Sequence, residues 1–182
     1  MVLERKLTTI DEFERFLTQT EHGLFELIDG EIIEKVPPRE HGIIAGNIVT
    51  AFNNYLNTRE IGIAAVEARH RPPNDLHNDR IPDVSFVSDA NKPVEREGAA
   101  NYLPDLAVEI RSPKDGLKEL SDKATFYLQH GTRMVWLIYP EKRLVEVLTA
   151  DARFLLGEGE TISGGDLLPD FKLPVSDVFR RV

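Results

Sequence analysis

The stretch Pro104-Asp105-Leu106-Ala107-Val108-Glu109-Ile110-Arg111-Ser112-Pro113 places a carboxylate in the middle of an apolar run. Large apolar residues alternate along it with Ala107 and Glu109, the period of two that is typical of a β-strand with two different faces. An isolated charge is costly to bury, so Glu109 needs a cation, a hydrogen-bond network or a metal ion. We therefore expect the residues around this strand to supply that partner.

Hydrophobic periodicity and turn signals predict helices and strands on both sides of this strand. The predicted helices cover about residues 9–19, 40–59 and 117–130, and the predicted strands cover a hairpin at 25–36, then 62–70, 81–87, 105–111, 134–138, 144–149 and 153–156, with a β-rich segment at 168–179. The strand–helix–strand order at 105–138 favours a parallel crossover, and we expect the earlier strands, including the hairpin, to join the same sheet. The chain is predicted to be one α/β or α+β domain, residues 1–182.

The net charge of the chain bears on whether it binds nucleic acid. Twenty-two Lys and Arg residues against 31 Asp and Glu residues give a net charge of −9. This balance disfavours broad non-specific binding to nucleic acid, although a local basic cleft remains compatible with it. Acidic residues gathered around a divalent metal would themselves contribute to such a balance.

The chain contains no cysteine, which excludes disulfides and thiolate metal sites. No apolar run approaches the length of a membrane span, and residues 1–6 lack the apolar core of a signal peptide. We therefore predict a cytoplasmic protein without a membrane segment.

Asp83 and Glu109 lie in two short apolar segments, each of which starts with a proline-containing stretch. If the two strands pair, the carboxylates can lie on the same face and converge. Two close carboxylates repel each other, and a hard divalent cation such as Mg²⁺ relieves that repulsion. Such an ion can lower the pKa of bound water and stabilise charge on a phosphodiester.

Lys123 is the candidate third member of this group. On the predicted third helix it follows Leu120 by three residues and precedes Tyr127 by four, which places it beside the apolar face. From there its ammonium could reach the adjacent strand end and orient a nucleophile or stabilise developing charge. The alternative is structural: Glu109 pairs with Arg111 or Lys123, and Asp83 caps a turn.

Several stretches together resemble the signatures of the Uma-type family, whose members are described as putative restriction endonucleases. These stretches are Phe25-Glu26-Leu27-Ile28-Asp29-Gly30-Glu31-Ile32, Pro37-Pro38-x-x-His41-Gly42, Pro82-Asp83-Val84-Ser85-Phe86-Val87, Pro104–Pro113, Lys123-x-x-x-Tyr127-x-x-x-Gly131, Val135-Trp136-Leu137-Ile138 and Leu168-Pro169-x-Phe171-x-Leu173-Pro174-Val175. The resemblance runs from about Thr9 to Phe179 in the family's order.

The resemblance implies a PD-(D/E)XK nuclease fold, that is, a restriction-endonuclease-like mixed central β-sheet flanked by helices. It also implies hydrolysis of DNA phosphodiester bonds with Mg²⁺ or Mn²⁺. Carried over by position, Asp83 is the first acid, Glu109 is the second acid, and both would hold the metal. The lysine that usually stands two residues after the second acid is replaced by Arg111, and Lys123 matches the position from which this family draws its lysine. Arginine does not readily act as a base, so Arg111 is expected to bind a phosphate or a carboxylate.

Two further residues match family positions. Glu26 matches an early glutamate and could add a metal or water contact, or it could be an ordinary outward-facing strand residue. His41 could touch a phosphate or orient a carboxylate, or it could serve in capping or packing.

Two functions follow from these observations. The first is a metal-dependent DNA endonuclease that uses Asp83, Glu109 and Lys123. The second is a catalytically inactive binding or interaction module on the same fold, which the acidic balance and Arg111 favour. The β-rich C-terminal part has strand edges to protect, so a homodimer is expected, and two-fold symmetry would present two sites to two DNA strands.

Overall fold

The computed structural model describes residues 6–182, and the chain divides into two compact units. The first unit contains the described residues up to 36 together with 69–81 and 94–102, and the second contains 37–68, 82–93 and 103–182. Part of the localisation prediction rests on residues 1–5, which lie outside the described residues. Within 6–182 no helix is both long enough and apolar enough to cross a membrane.

The first unit begins with helix α1 (Ile10–Gln19), followed by strands β1 (Leu24–Ile28) and β2 (Glu31–Lys35). The two strands form an antiparallel hairpin. Its turn residues, Asp29 and Gly30, have φ values of 49° and 77°, the left-handed region that an Asp-Gly turn favours.

The prediction that this hairpin joins the central sheet is wrong, because it forms a two-stranded sheet of its own. On its other side β1 pairs with residue Asp79, which belongs to an irregular segment of the same unit. Leu27 and Asp79 exchange both of their backbone hydrogen bonds, at 2.9 and 2.8 Å. The backbone groups that would pair with a further strand are therefore used within the first unit.

Two acidic and two basic side chains form one cluster inside the first unit. The fully buried Asp79 carboxylate accepts from Arg69 Nη2 at 2.6 Å and from Arg71 Nε at 2.7 Å. Burial alone would raise the pKa of Glu14, but hydrogen bonds from the same two guanidinium groups outweigh it and lower the pKa. Opposite charges thus compensate one another where burial would otherwise be costly.

The second unit contains the central sheet. Its elements are α2 (Arg39–Leu56), β3 (Ile63–Val66), β4 (Val84–Val87), β5 (Leu106–Ile110), α3 (Leu117–Gln129), β6 (Met134–Tyr139), β7 (Leu144–Leu148), β8 (Arg153–Leu156), β9 (Thr161–Gly164), β10 (Leu168–Pro174) and α4 (Val175–Val178). Strands β3 to β8 form one six-stranded sheet in chain order, and β9 pairs with β10. Strands β5 and β6 are parallel, as predicted, and all other neighbours in this sheet are antiparallel.

The alternation along β5 separates two apolar layers. Leu106, Val108 and Ile110 belong to a layer with α2 and the β9–β10 hairpin. Ala107 belongs to a second layer with buried residues of α3 and β6. We call the side of the sheet that carries Ala107 and Glu109 the α3 face, and the opposite side the α2 face. A mixed sheet flanked by helices on both sides confirms the predicted α+β fold class.

Candidate active site

Asp83 and Glu109 are brought together by the pairing of β4 with β5. The antiparallel register places Val84 opposite Val108, so continuing it by one residue places Asp83 opposite Glu109. Residues opposite each other in such a pair have Cβ atoms about 5 Å apart. Asp83 Oδ2 accepts the backbone N–H of Ile110 at 2.6 Å. The two residues are only 3% and 2% exposed, so two acidic residues are buried at this end of the β4–β5 pair.

The carboxylate of Glu109 is bound by two residues of α3. Lys123 Nζ donates to Oε2 at 3.2 Å, and the Tyr127 hydroxyl donates to Oε1 at 2.9 Å. The two donors are four residues apart, which places them one helical turn from each other on one side of α3. Each therefore takes a different oxygen of the same buried carboxylate. The sequence-based expectation that Lys123 reaches the strand end agrees with this contact, while its catalytic role stays a prediction.

His41 lies in the first turn of α2 and is buried. Its Nδ1 is 3.9 Å from Asp83 Oδ1, and its Nε2 is 3.2 Å from the Ser112 hydroxyl. Nδ1 has no hydrogen-bond partner among the residues that the structure describes. The imidazole thus lies between the first acid and the residue that follows the β5 strand by two positions. No pattern in the sequence indicated that Ser112 would contact His41.

Arg111 contacts other groups than Glu109. Its Nη1 forms an ion pair with the carboxylate of Glu141, and its Nη2 donates to the carbonyl oxygen of Asp115 at 3.0 Å. The structural alternative in which Arg111 neutralises Glu109 therefore does not hold. Arg111 binds a carboxylate, and binding of a phosphate stays a prediction.

Glu26 lies in the first unit, on β1, and it is buried. Its Oε1 accepts the backbone N–H of Ile81 at 2.8 Å, and Lys35 Nζ donates to the carbonyl oxygen of Ile81 at 2.6 Å. The alternative of an outward-facing strand residue is wrong, because the hairpin turns this side chain towards the 79–81 segment. Ile81 precedes Asp83 by two residues in the chain. A metal or water contact of Glu26 stays a prediction.

A second buried glutamate lies on the α3 face and was not singled out from the sequence. Glu146 is opposite Leu137, which itself pairs with Glu109, so one strand separates the two glutamates. Glu146 Oε2 accepts from the Tyr139 hydroxyl at 2.8 Å, and Oε1 forms an ion pair with Arg153. Burial and this hydrogen bond raise the pKa of Tyr139 to about 12. The signal was present in Leu-Val-Glu-Val-Leu, which repeats the pattern around Glu109.

Asp83 and Glu109 can be compared with the oxygen ligands that a divalent cation such as Mg²⁺ prefers. In residues 6–182 no group of three or more His, Asp or Glu side chains is arranged to hold a metal. Mg²⁺ usually takes only one or two protein carboxylates and completes its shell with water and substrate phosphate. Asp83 and Glu109 supply four carboxylate oxygens, and an oxygen that accepts one hydrogen bond keeps a second lone pair. The two carboxylates therefore fit a hard cation of this kind.

Comparisons with known proteins agree with this architecture. A crystal structure described as a putative nuclease belonging to DUF820, from Anabaena variabilis, has a TM-score of 0.79 and 26% identity, covering 94% of this chain and 97% of that chain. A comparison with curated proteins gave no match. The model of the Uma2 family, described as putative restriction endonuclease, matches residues 10–176. Fold and family together indicate a restriction-endonuclease-like nuclease. The chain belongs to the Uma2 family, as its sequence motifs predicted.

Proposed function

We propose that this protein is a metal-dependent endonuclease that hydrolyses DNA phosphodiester bonds. The observation that carries the proposal is the buried pair of Asp83 and Glu109, with the ammonium of Lys123 on the second carboxylate. Burying two acids next to each other is unfavourable unless a cation compensates them. Membership of a restriction endonuclease family supports the interpretation that this acidic pair belongs to a nuclease active site.

Asp83 and Glu109 are the residues that would hold Mg²⁺ or Mn²⁺. When bound, the ion would neutralise charge on the substrate phosphate and make a water molecule more acidic. Asp83 is kept in place by the backbone N–H of Ile110, so its Oδ2 direction is set by the β5 strand itself. Ligands held by backbone hydrogen bonds need little reorganisation when a cation arrives.

Lys123 supplies the positive charge that the protein itself brings to the reaction. Its ammonium lies 3.2 Å from Glu109 Oε2, and its side chain is 19% exposed, so the charge is close to the carboxylate and still reachable from solvent. A flexible lysine can turn part of its hydrogen-bonding capacity to a phosphate oxygen or to the attacking water. We assign to it the orientation of that water and the stabilisation of negative charge in the transition state.

His41 and Arg111 are assigned to substrate positioning. His41 faces Asp83 through Nδ1 and Ser112 through Nε2, so it can orient the carboxylate, and binding of a phosphate would require Nε2 to leave the Ser112 hydroxyl. Arg111 carries a permanent charge but is engaged by Glu141, so phosphate binding would require the two to share the guanidinium. Glu26 enters the proposal as a further metal or water contact, on the family resemblance alone.

The second candidate is a nuclease-fold module that binds a partner without cleavage. One observation favours it: Glu109 accepts hydrogen bonds from Lys123 and Tyr127, and a purely structural ion-pair network would make the same contacts. The two candidates differ in a measurable way, because only the enzyme needs a divalent cation and both acids for turnover.

Cleavage of DNA is the first prediction. Purified protein with Mg²⁺ or Mn²⁺ is expected to nick or linearise supercoiled plasmid, and Asp83→Asn and Glu109→Gln are expected to reduce the rate by at least about 100-fold, because each removes one of the two carboxylates that would hold the metal. Glu146→Gln is the matched control, since it removes an equally buried charge from the same face without touching the site. The same reaction with RNA in place of plasmid shows whether the protein cleaves DNA, RNA or both.

The outcome that contradicts the enzyme is a wild-type rate equal to that of Asp83→Asn on both nucleic acids. A chelator such as EDTA is expected to stop wild-type cleavage, and a rate unaffected by it would remove the metal from the proposal. Rates in Glu146→Gln that fall as far as those in Glu109→Gln would show a general effect of lost charge.

Lys123→Met tests the third residue. Without its ammonium the buried Glu109 charge loses a cationic partner, so the free energy of unfolding without metal is expected to fall by about 3 kcal/mol. Lys118, on the same helix, has an 87% exposed side chain whose ammonium pairs with Asp122. Lys118→Met is expected to change the free energy of unfolding by less than about 1 kcal/mol. Urea denaturation measures both.

The same two variants separate stability from catalysis in the plasmid assay. Lys123→Met is expected to lose at least about 100-fold in cleavage rate at a temperature where it remains folded, because the orienting cation is missing. Lys118→Met should cleave at the wild-type rate. Equal rates for the two variants would exclude Lys123 from the reaction.

We also propose that the protein is a homodimer that pairs through β8. Within the described residues no strand pairs with the outer side of β8, and its Phe154 and Leu155 are 56% and 59% exposed. An edge strand can pair with a second copy of itself across a two-fold axis.

Sedimentation equilibrium tests the dimer. The wild type is expected to sediment at twice the chain mass, and Leu155→Lys at the chain mass, because a charge on the paired edge opposes association. Val66→Lys, at an exposed position on the opposite edge strand β3, should remain dimeric. A monomeric wild type, or a dimeric Leu155→Lys, would contradict the interface.

A further inference from the structure

We infer that Tyr127 is a positioning residue for the second acid: its hydroxyl fixes Glu109 Oε1, so that Oε2 keeps one direction while Lys123 turns to the substrate. This inference rests on the proposed function. It concerns a residue that sequence patterns assign to the apolar face of α3.

The two oxygens of the Glu109 carboxylate accept from donors that differ in mobility. The Tyr127 ring is fully packed among buried residues, with Leu120 and Ala124 on its own helix and Val135 and Leu137 on β6. Its hydroxyl therefore cannot leave Oε1 without unpacking the layer under α3. The Lys123 ammonium sits at the end of a flexible stem and is partly exposed, so it can move away from Oε2.

The difference in charge between the two donors matters as much as the difference in mobility. A tyrosine hydroxyl is neutral, so it orients the carboxylate and leaves its negative charge available to a cation. An ammonium in the same place would compete with that cation. Because the O–C–O geometry of a carboxylate is rigid, fixing Oε1 also restricts the position of Oε2. Groups that orient a metal ligand in this way typically contribute 10- to 100-fold to metal affinity or activity.

The chain contains a matched reference for this arrangement. Tyr139 donates to Glu146 at 2.8 Å, on the same face of the same sheet and to an equally buried carboxylate. Glu146 differs in that Arg153 holds its other oxygen and that it has no second acid opposite it, since its cross-strand neighbours are Leu137 and Leu155. Removing either hydroxyl therefore deletes the same kind of bond, but only one of them belongs to the Asp83–Glu109 pair.

The experiment compares wild type, Tyr127→Phe and Tyr139→Phe without DNA. Calorimetric titration of the metal-free proteins with Mn²⁺ is expected to show affinity about 10- to 100-fold weaker in Tyr127→Phe and within about twofold of wild type in Tyr139→Phe. Urea denaturation of the same metal-free samples reports the structural effect of each lost hydroxyl. In the cleavage assay Tyr127→Phe should lower kcat and leave the KM for DNA unchanged.

The outcomes separate this inference from the proposed function. If wild type binds Mn²⁺ and Tyr127→Phe binds it equally well, the positioning role is overturned and the nuclease proposal stands. If wild type binds no Mn²⁺ and cleaves nothing, the proposed function fails and the inference with it. Equal weakening of Mn²⁺ binding in Tyr127→Phe and Tyr139→Phe would also overturn the positioning role, because a lost buried hydrogen bond anywhere on the face would then suffice.

Discussion

A buried carboxylate is the constraint on which the second unit depends. Glu109 lies on a strand whose neighbours on both sides are core residues, and charge in such a place is costly unless it is compensated. The compensation comes from α3, which supplies an ammonium to one oxygen and a hydroxyl to the other. The helix that packs on this face of the sheet therefore also supplies the groups that compensate Glu109.

The topology explains why the other members of the candidate site come from distant parts of the chain. Helix α3 leads from the end of β5 back to the start of the parallel strand β6, and Lys123, in the middle of this helix, contacts Glu109. Strand β4 runs antiparallel to β5, so Asp83, at its beginning, meets Glu109 near the end of β5. Helix α2 contributes His41 from its first turn. Two strand directions and the position of helix α2 therefore bring the acids, the lysine and the imidazole to this end of the sheet.

Much of this arrangement follows from residue patterns. The alternation around Glu109 and the apolar run of β6 specify two adjacent strands, and the spacing of Leu120, Lys123 and Tyr127 specifies the helical side that faces them. Residue patterns did not predict which segments pair when these lie far apart in the sequence. The hairpin was assigned to the wrong sheet because its partner, Asp79, lies about 50 residues away in an irregular segment. Tyr127 was counted as apolar because helical spacing does not show whether a hydroxyl finds a carboxylate.

The central claim is that Asp83 and Glu109 together bind a divalent cation. Thermal unfolding with and without Mg²⁺ tests it most directly, because an ion that binds only the folded state stabilises it, by about 2.7 kcal/mol at a concentration of 100 Kd. The account predicts that the Tm of wild type rises with Mg²⁺ and that the Tm of Asp83→Ala does not. An equal rise in both proteins, or no rise in wild type, would contradict it.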